Sequence, residues 1–113
     1  MKPKFKIFLM DEAKEFLSGL DKKTKDKVFH NIRKTQYTLD KNLLKKINKF
    51  VWEFRTKYNR KEIRLLGFSA KDQHGNKLMI ITHGFIKKTW KVPKKEIDKT
   101  EAIRKKLLND EKN

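Results

Sequence analysis

The chain has 113 residues, of which 31 are Lys or Arg and 14 are Asp or Glu, so its formal net charge is +17 and its pI is near 10.1. A chain of this length suits one domain spanning residues 1–113, and the excess positive charge favours a polyanion such as nucleic acid as the partner. The absence of cysteine excludes disulfides and thiolate metal sites. No apolar run approaches the ~18 residues of a membrane span, and the first residues lack the apolar core of a signal peptide, so we expect a cytoplasmic protein with no membrane partner.

The positive charge is concentrated in one part of the chain. Residues 41–95 contain sixteen basic side chains against three acidic ones, which gives this segment a net charge of +13. The two flanking segments together contribute only +4. The positive field should therefore belong to the folded segment itself, and not to a detachable tail.

The first forty residues predict a strand followed by two helices. Residues 4–9 alternate in a pattern that is typical of a half-buried strand at the edge of a sheet. Asp11 is a candidate N-cap for a short helix, and Gly19 suggests a left-handed turn where this helix ends. Asp21 can then cap a second helix, in which apolar residues recur at helical spacing as far as Leu39. We expect the two helices to form a hairpin that covers one side of a sheet.

The rest of the chain predicts three further strands and a C-terminal helix. Residues 50–55 and 63–70 have strand patterns, and the polar loop 71–76 joins the second of them to the apolar run 78–85. An uninterrupted apolar run is typical of a strand buried on both faces, so we expect residues 78–85 in the middle of the sheet. Pro93 marks the start of the last helix. The order indicates an α+β fold with an antiparallel sheet of about four strands, an N-terminal helical hairpin and a C-terminal helix.

Basic side chains fall on or just beyond neighbouring strands, where together they can bind a phosphate group. They are Arg55, Arg64, Lys87 and Lys88. Arginine supplies fixed, forked donors and lysine a mobile point charge. Glu53 lies two residues before Arg55 and therefore on the same face of the strand. It is either a structural ion-pair partner of these cations or a general base.

These residue types suit RNA cleavage without a metal ion, in which the 2′-hydroxyl group attacks the neighbouring phosphate. The reaction needs a proton acceptor, a proton donor and cations that stabilise the charge growing on phosphate. Glu53 and His83 are the titratable candidates, although the apolar strand around His83 also suits a neutral, packed histidine. The three histidines do not have the spacing of metal ligands, so we expect no metal site and no cofactor.

Three segments together resemble a known family. They are Val51-Trp52-Glu53-Phe54-Arg55, Ile63-Arg64-Leu65-Leu66-Gly67-Phe68 and His83-Gly84-Phe85-Ile86-Lys87-Lys88-Thr89, followed by Pro93 and Glu96-Ile97. The pattern is similar to that of the RelE/ParE toxin superfamily, in the HigB-like, phage-derived branch of type II toxin–antitoxin systems. The sequence departs from this pattern at Ile63, where tyrosine is usual, and at Trp90, where glutamine is common.

The resemblance implies a RelE-like fold and a toxin that an antitoxin protein neutralises. Members similar to RelE and HigB are endoribonucleases, or mRNA interferases, which inhibit translation by cleaving mRNA in the ribosomal A site without a metal ion. The expected partners are therefore mRNA, ribosomal RNA and the antitoxin. The residues implicated in catalysis by motif position are Glu53, Arg55, Arg64, Lys87, Lys88 and His83. We expect further RNA contacts from Lys57, Arg60, Lys61, Trp90 and Lys91.

Two other functions fit the same residues. The first is a non-catalytic module that binds RNA or DNA with the same basic face. The second is a ParE-like inhibitor of DNA gyrase on the same fold. The lysine-rich end of the apolar strand suits a phosphate target better than a protein target, which favours the nuclease.

Overall fold

The computed structural model describes residues 2–112, with side chains as far as Asn109. The strands in this part of the chain are β1 (Lys6–Leu9), β2 (Leu44–Lys46), β3 (Val51–Tyr58), β4 (Lys61–Lys71) and β5 (Lys77–Ile86). The helices are α1 (Asp11–Ser18), α2 (Lys22–Thr35) and α3 (Lys94–Lys112). The predicted α+β class, the two consecutive N-terminal helices and the C-terminal helix are confirmed. No helix among residues 2–112 combines the length and the apolar character that crossing a membrane requires.

One mixed sheet joins the five strands, in the order β1-β5-β4-β3-β2. β2 to β5 pair antiparallel, but β1 runs parallel to β5, with Lys6 opposite Leu78 and Leu9 opposite Ile81. The expected antiparallel sheet of about four strands is therefore wrong in strand number and in direction. β2 has only three residues, which is too short for a recognisable pattern. The direction of β1 depends on a partner far away in the chain, which no local pattern reveals.

The middle strand of the sheet is β4, and not the apolar run 78–85. Residues 63–68 of β4 are all buried, whereas β5 lies one position away from the middle, between β1 and β4. A charged residue, Arg64, interrupts the apolar character of β4. A central strand that is buried on both faces usually has an uninterrupted apolar sequence. Because Arg64 interrupts that pattern, the sequence did not indicate that β4 is the central strand.

The main core lies between the sheet and the helices α1 and α2. It consists of buried apolar residues that these elements share with the segment before β1: Phe5, Ala13, Leu17, Val28, Ile32, Phe54, Ile63, Leu65, Met79 and Ile81. A buried hydrogen bond of 3.1 Å from Asn31 Nδ2 to Thr56 Oγ1 joins α2 to β3 in the same layer. Side chains alternate along β3, and Phe54 faces this core. Its neighbours Glu53 and Arg55 therefore point to the opposite face of the sheet.

The start of α2 follows the prediction, but the start of α1 does not. The carboxylate of Asp21 accepts a hydrogen bond of 3.1 Å from the backbone N–H of Thr24, which confirms Asp21 as the N-cap of α2. In α1 the N-cap is Met10, whose side chain makes no capping hydrogen bond. Asp11 lies in the first helical turn instead, where its charge meets the positive end of the helix dipole.

The predicted left-handed turn at Gly19 is also wrong. Gly19 has φ −81° and ψ −7°, which is right-handed, and its N–H donates to the carbonyl oxygens of Glu15 and Phe16. The last turn of α1 therefore tightens, and the chain passes directly to the N-cap of α2.

The other face of the sheet packs against α3. The register of β4 and β5 shifts between Leu66 and Gly67, which inserts Thr82 as an extra residue in β5. Thr82 Oγ1 lies 2.9 Å from Thr100 Oγ1 of α3, and the next residue, His83, also contacts α3. The bulge thus turns two consecutive side chains toward the same helix, which fixes the position of α3 across the sheet.

Candidate nucleic-acid interface

The pairing of β3 with β4 brings the two predicted arginines together. Arg55 lies directly opposite Arg64, and Glu53 lies two residues earlier on the same face of β3. Trp52 and Phe54 pack toward the core under α1 and α2, so Glu53 and Arg55 point to the face that carries α3. Two like charges directly opposite one another destabilise a sheet unless other groups neutralise them.

A network of ion pairs neutralises these arginines. Glu53 Oε2 lies 3.2 Å from Arg64 Nε, Glu53 Oε1 lies 3.4 Å from Arg55 Nε, and Glu62 Oε2 lies 3.2 Å from Arg64 Nη1. The side chains of Glu53 and Arg64 are each 3% exposed, whereas that of Arg55 is 32% exposed. Arg64 is therefore a buried member of the network, and Arg55 is the arginine that a ligand can reach.

A groove opens beside the network, between β2, β3, the segment 87–92 and α3, with a volume of about 500 Å³. The residues that line this cationic groove are Lys45, Ile47, Glu53, Arg55, Lys87, Trp90, Lys91, Val92 and Ile97. Four of the nine are cations, and Glu53 is the only carboxylate among them. Trp90 is 91% exposed, so its ring is free to stack on a base. The cationic groove has the charge and the open shape to accept an extended anionic chain.

A smaller hollow of about 230 Å³ continues from Arg55 along β3. Its lining residues are Asn42, Arg55, Lys57, Glu62 and Arg64. Lys57 is exposed and lies opposite Glu62, two residues beyond Arg55 on the same face. Arg55 thus stands where the two depressions meet, and the predicted RNA contact of Lys57 lies in line with the cationic groove.

His83 is absent from the lining of the cationic groove. Its side chain is 3% exposed, with Nδ1 2.9 Å from Thr82 Oγ1 and Nε2 3.3 Å from Glu96 Oε1. Burial lowers the pKa of His83 below its usual 6.5, and Lys99 lowers it further against the opposite effects of Glu96 and Glu12. A buried imidazole with a lowered pKa is neutral at neutral pH. The sequence left two interpretations of His83 open, a catalytic histidine and a neutral, packed one. The buried environment favours the packed histidine.

Three other predicted residues lie away from the cationic groove. Lys88 is exposed but does not line it. Arg60 stands in the tight turn between β3 and β4, with φ 64°. Lys61 Nζ lies 3.9 Å from Asp21 Oδ1 at the start of α2. The groove therefore collects Glu53, Arg55, Lys87, Trp90 and Lys91 from the predicted set, with Arg64 buried behind them.

Lys45 is a residue of the candidate site that its local sequence does not predict. β2 pairs antiparallel with β3 and places Lys45 directly opposite Glu53, at the edge of the sheet and in the lining of the cationic groove. Its own segment carries no signal, because three residues are too few to show a strand period and the chain is rich in lysine. Only the pairing with β3 distinguishes Lys45 from the other lysines.

The acidic side chains near the groove are engaged by basic partners. Glu53 and Glu62 contact Arg64, and Glu96 lies beside His83. In the described part of the chain, no group of three or more His, Asp or Glu side chains is arranged to hold a metal ion.

Residues 15–105 match the family described as Phage derived protein Gp49-like (DUF891). This family falls in the group of RelE/HigB-like toxins from toxin–antitoxin systems. Since the match covers most of the chain, the protein belongs to the Gp49-like family of phage-derived proteins. No curated protein and no solved structure matches the chain.

Proposed function

We propose that this protein is the toxin of a type II toxin–antitoxin pair and that it cleaves mRNA in the ribosomal A site without a metal ion. The observation that carries the proposal is the cationic groove, which combines four cations and an exposed tryptophan beside an ordered arginine–glutamate network. Membership of the Gp49-like family supports the role as a toxin, which an antitoxin protein would neutralise.

In the proposed reaction the 2′-oxygen forms a bond to phosphorus, and the bond from phosphorus to the 5′-oxygen breaks. The 2′-hydroxyl group gives its proton to solvent water in the open groove and the leaving 5′-oxygen takes a proton from water, while negative charge grows on the phosphate. Preorganised cations stabilise that charge. Arg55 supplies a forked donor held by Glu53, and Lys87 supplies a mobile charge from the neighbouring side of the groove. Lys45 and Lys91 bind the flanking phosphates.

Glu53 and Arg64 act through Arg55. The carboxylate of Glu53 is 3% exposed and is paired with two guanidinium groups, so it would have to give up an ion-pair contact to accept a proton from a ribose hydroxyl group. Burial therefore favours the ion-pair role of Glu53 over that of a general base. The network fixes the direction of the Arg55 guanidinium, which lowers the entropy lost when phosphate binds.

The test is to map the 5′ ends of cellular mRNA after brief induction of the wild type and of Lys87→Ala. Lys87 is suited to the test because it lines the groove and lies outside the buried network. New 5′ ends inside translated frames are expected for the wild type. Loss of one charge-stabilising group should reduce them by about 10²-fold in Lys87→Ala.

The matched control is Lys95→Ala, which removes the same charge from an exposed position in the first turn of α3, outside the groove. This variant should give the wild-type ends. Growth arrest without new ends would contradict nuclease activity. New ends spread equally over untranslated RNA would contradict dependence on the ribosome.

A further inference from the structure

A second and larger groove, of about 670 Å³, lies where α2 ends beside β2. We call it the apolar groove, since Phe5, Leu44, Trp52 and Met79 are among the residues that line it. Trp52 and Leu44 are only partly buried, although both pack against the main core. The core therefore continues into the surface at this point, and apolar area stays open to solvent.

Positive charge surrounds the apolar groove. Four exposed lysines line it in addition to the two cations that it shares with the cationic groove: Lys4, Lys41, Lys46 and Lys77. Asp40 is its only acidic lining residue. Leu39, beside Asp40, is 84% exposed and extends the apolar surface along the wall. The partner that fits this groove has apolar side chains for its floor and carboxylates for its rim.

We propose that the apolar groove binds an acidic, amphipathic segment of the antitoxin. This inference rests on the proposed function, because it names the partner of a toxin. Charge complementarity favours this occupant over a second copy of the chain, whose net charge of +17 would repel it. RNA fits less well, since phosphate gains nothing from an apolar floor.

Lys45 and Arg55 connect the two grooves, because each lines both of them. An acidic segment in the apolar groove would bring carboxylates close to the same two cations that bind RNA phosphate in the cationic groove. Its binding would therefore lower the positive potential available to RNA without filling the cationic groove. This coupling gives the antitoxin a way to neutralise the toxin from a separate site.

The test uses the full chain and, as its probe, the purified protein product of the adjoining gene, with affinity measured by calorimetric titration. The test variant is Lys46→Glu with Lys77→Glu, which leaves Lys45 and Arg55 untouched. The control is Lys14→Glu with Lys27→Glu, an equal change of charge at exposed positions of α1 and α2. We expect the test variant to bind the probe about tenfold more weakly than the control, because like charges would then face each other at the rim.

A third variant, Leu39→Ser, probes the apolar contribution at a site too exposed to affect folding. It should weaken binding several-fold with no change in thermal unfolding. Equal affinities for the test and control pairs, with a loss of binding in Lys87→Ala with Lys91→Ala, would overturn the inference and place the antitoxin over the cationic groove. Absence of any binding by the probe to the wild type would also overturn it.

The cleavage assay separates the failure of this inference from failure of the proposed function. Lys46→Glu with Lys77→Glu should produce the wild-type mRNA ends when no antitoxin is present, since neither residue lines the cationic groove. Binding at the apolar groove by a protein that produces no such ends would support the inference and contradict the nuclease.

Discussion

The side chain of Arg64 lies within 3.2 Å of both Glu53 and Glu62, and neither Glu53 Oε2 nor Arg64 Nε has an aligned hydrogen bond within the described residues. The Glu53–Arg64 contact is therefore held by charge in a buried site. Removing Arg64 leaves the buried carboxylate of Glu53 with the partly exposed Arg55 as its remaining partner in this network, so Arg64→Ala should lower the free energy of unfolding by up to about 3–5 kcal/mol. Lys87→Ala should change it by less than about 0.5 kcal/mol. Urea denaturation followed by circular dichroism measures both values.

The control for this prediction replaces both partners, as Glu53→Met with Arg64→Met. Because no unpaired charge is left buried, and Arg55 and Glu62 are partly exposed, the double variant should lose less stability than the sum of the losses in Glu53→Met and Arg64→Met. Strictly additive losses would contradict the coupling. Arg64→Ala is therefore a poor test of activity, because the loss of stability alone could abolish function.

The pKa of His83 makes stability depend on pH. Burial and Lys99 lower this pKa in the folded chain, against Glu96 and Glu12, whereas the unfolded value is 6.5. At a pH between the pKa of His83 in the folded chain and 6.5, the unfolded chain binds more protons than the folded chain. The contribution of His83 to the free energy of unfolding is therefore complete above pH 6.5 and is lost as the pH falls below 6.5. His83→Gln should remove this part of the pH dependence, as measured by urea denaturation on both sides of pH 6.5.

His30→Gln is the matched control, because it alters an exposed histidine on α2. This variant should follow the wild-type curve of unfolding free energy against pH. Parallel curves for His83→Gln and the wild type would show that His83 does not carry the effect.

At the scale of elements, the strands with a local pattern were predictable and their pairing was not. The alternation of residues 50–55 located β3 and placed Glu53 and Arg55 on the same face, as the structure shows. The alternation of apolar and polar residues indicates to which face of the sheet each side chain points, and this is sufficient to identify the residues of one strand that share a face. It does not encode which strand lies alongside.

The features of the candidate site that the sequence did not predict depend on such long-range pairing. Lys45 reaches the cationic groove only because β2 pairs with β3, and Arg64 is buried only because β4 is the middle strand. His83 was predicted to be either catalytic or packed. The bulge that turns it toward α3 depends on the register between β4 and β5, which is likewise absent from the local sequence.

The end of α1 offers a direct test of one corrected element. Gly19 is right-handed, and a Cβ added there would meet Phe16 O at 3.5 Å, an ordinary contact. Gly19→Ala should therefore stabilise the protein by about 0.4–1 kcal/mol, because it reduces the entropy of the unfolded chain. A left-handed glycine would give the opposite sign, with a loss of about 1–2 kcal/mol. Thermal unfolding distinguishes the two results.

Gly84→Ala is the contrasting variant for this measurement. A Cβ at Gly84 would overlap the side chains of Leu65 and Phe16 in the core. The substitution should destabilise the protein by about 1–3 kcal/mol through overpacking. Destabilisation by both alanines would contradict the right-handed conformation of Gly19.

Across the whole molecule, the position of the positive charges should affect RNA binding more than their total number. Four cations of the segment 41–95 line the cationic groove, while many lysines of α1 and α2 point to solvent on the opposite side of the sheet. At about 0.1 M salt, charges more than about 10 Å apart in solvent are largely screened. Binding of a single strand should therefore respond to the groove cations and hardly at all to equal charges elsewhere.

The salt dependence of RNA binding tests this separation. For an uncleavable oligonucleotide with 2′-deoxyribose, the plot of log affinity against log salt concentration should lose about 0.7 of slope for each phosphate contact removed. Lys87→Ala with Lys91→Ala should lower the slope by about 1.4, because both lysines line the groove. Lys14→Ala with Lys27→Ala removes the same charge from the helices and should leave the slope nearly unchanged. Equal slopes for the two pairs would mean that total charge, rather than the cationic groove, determines RNA binding.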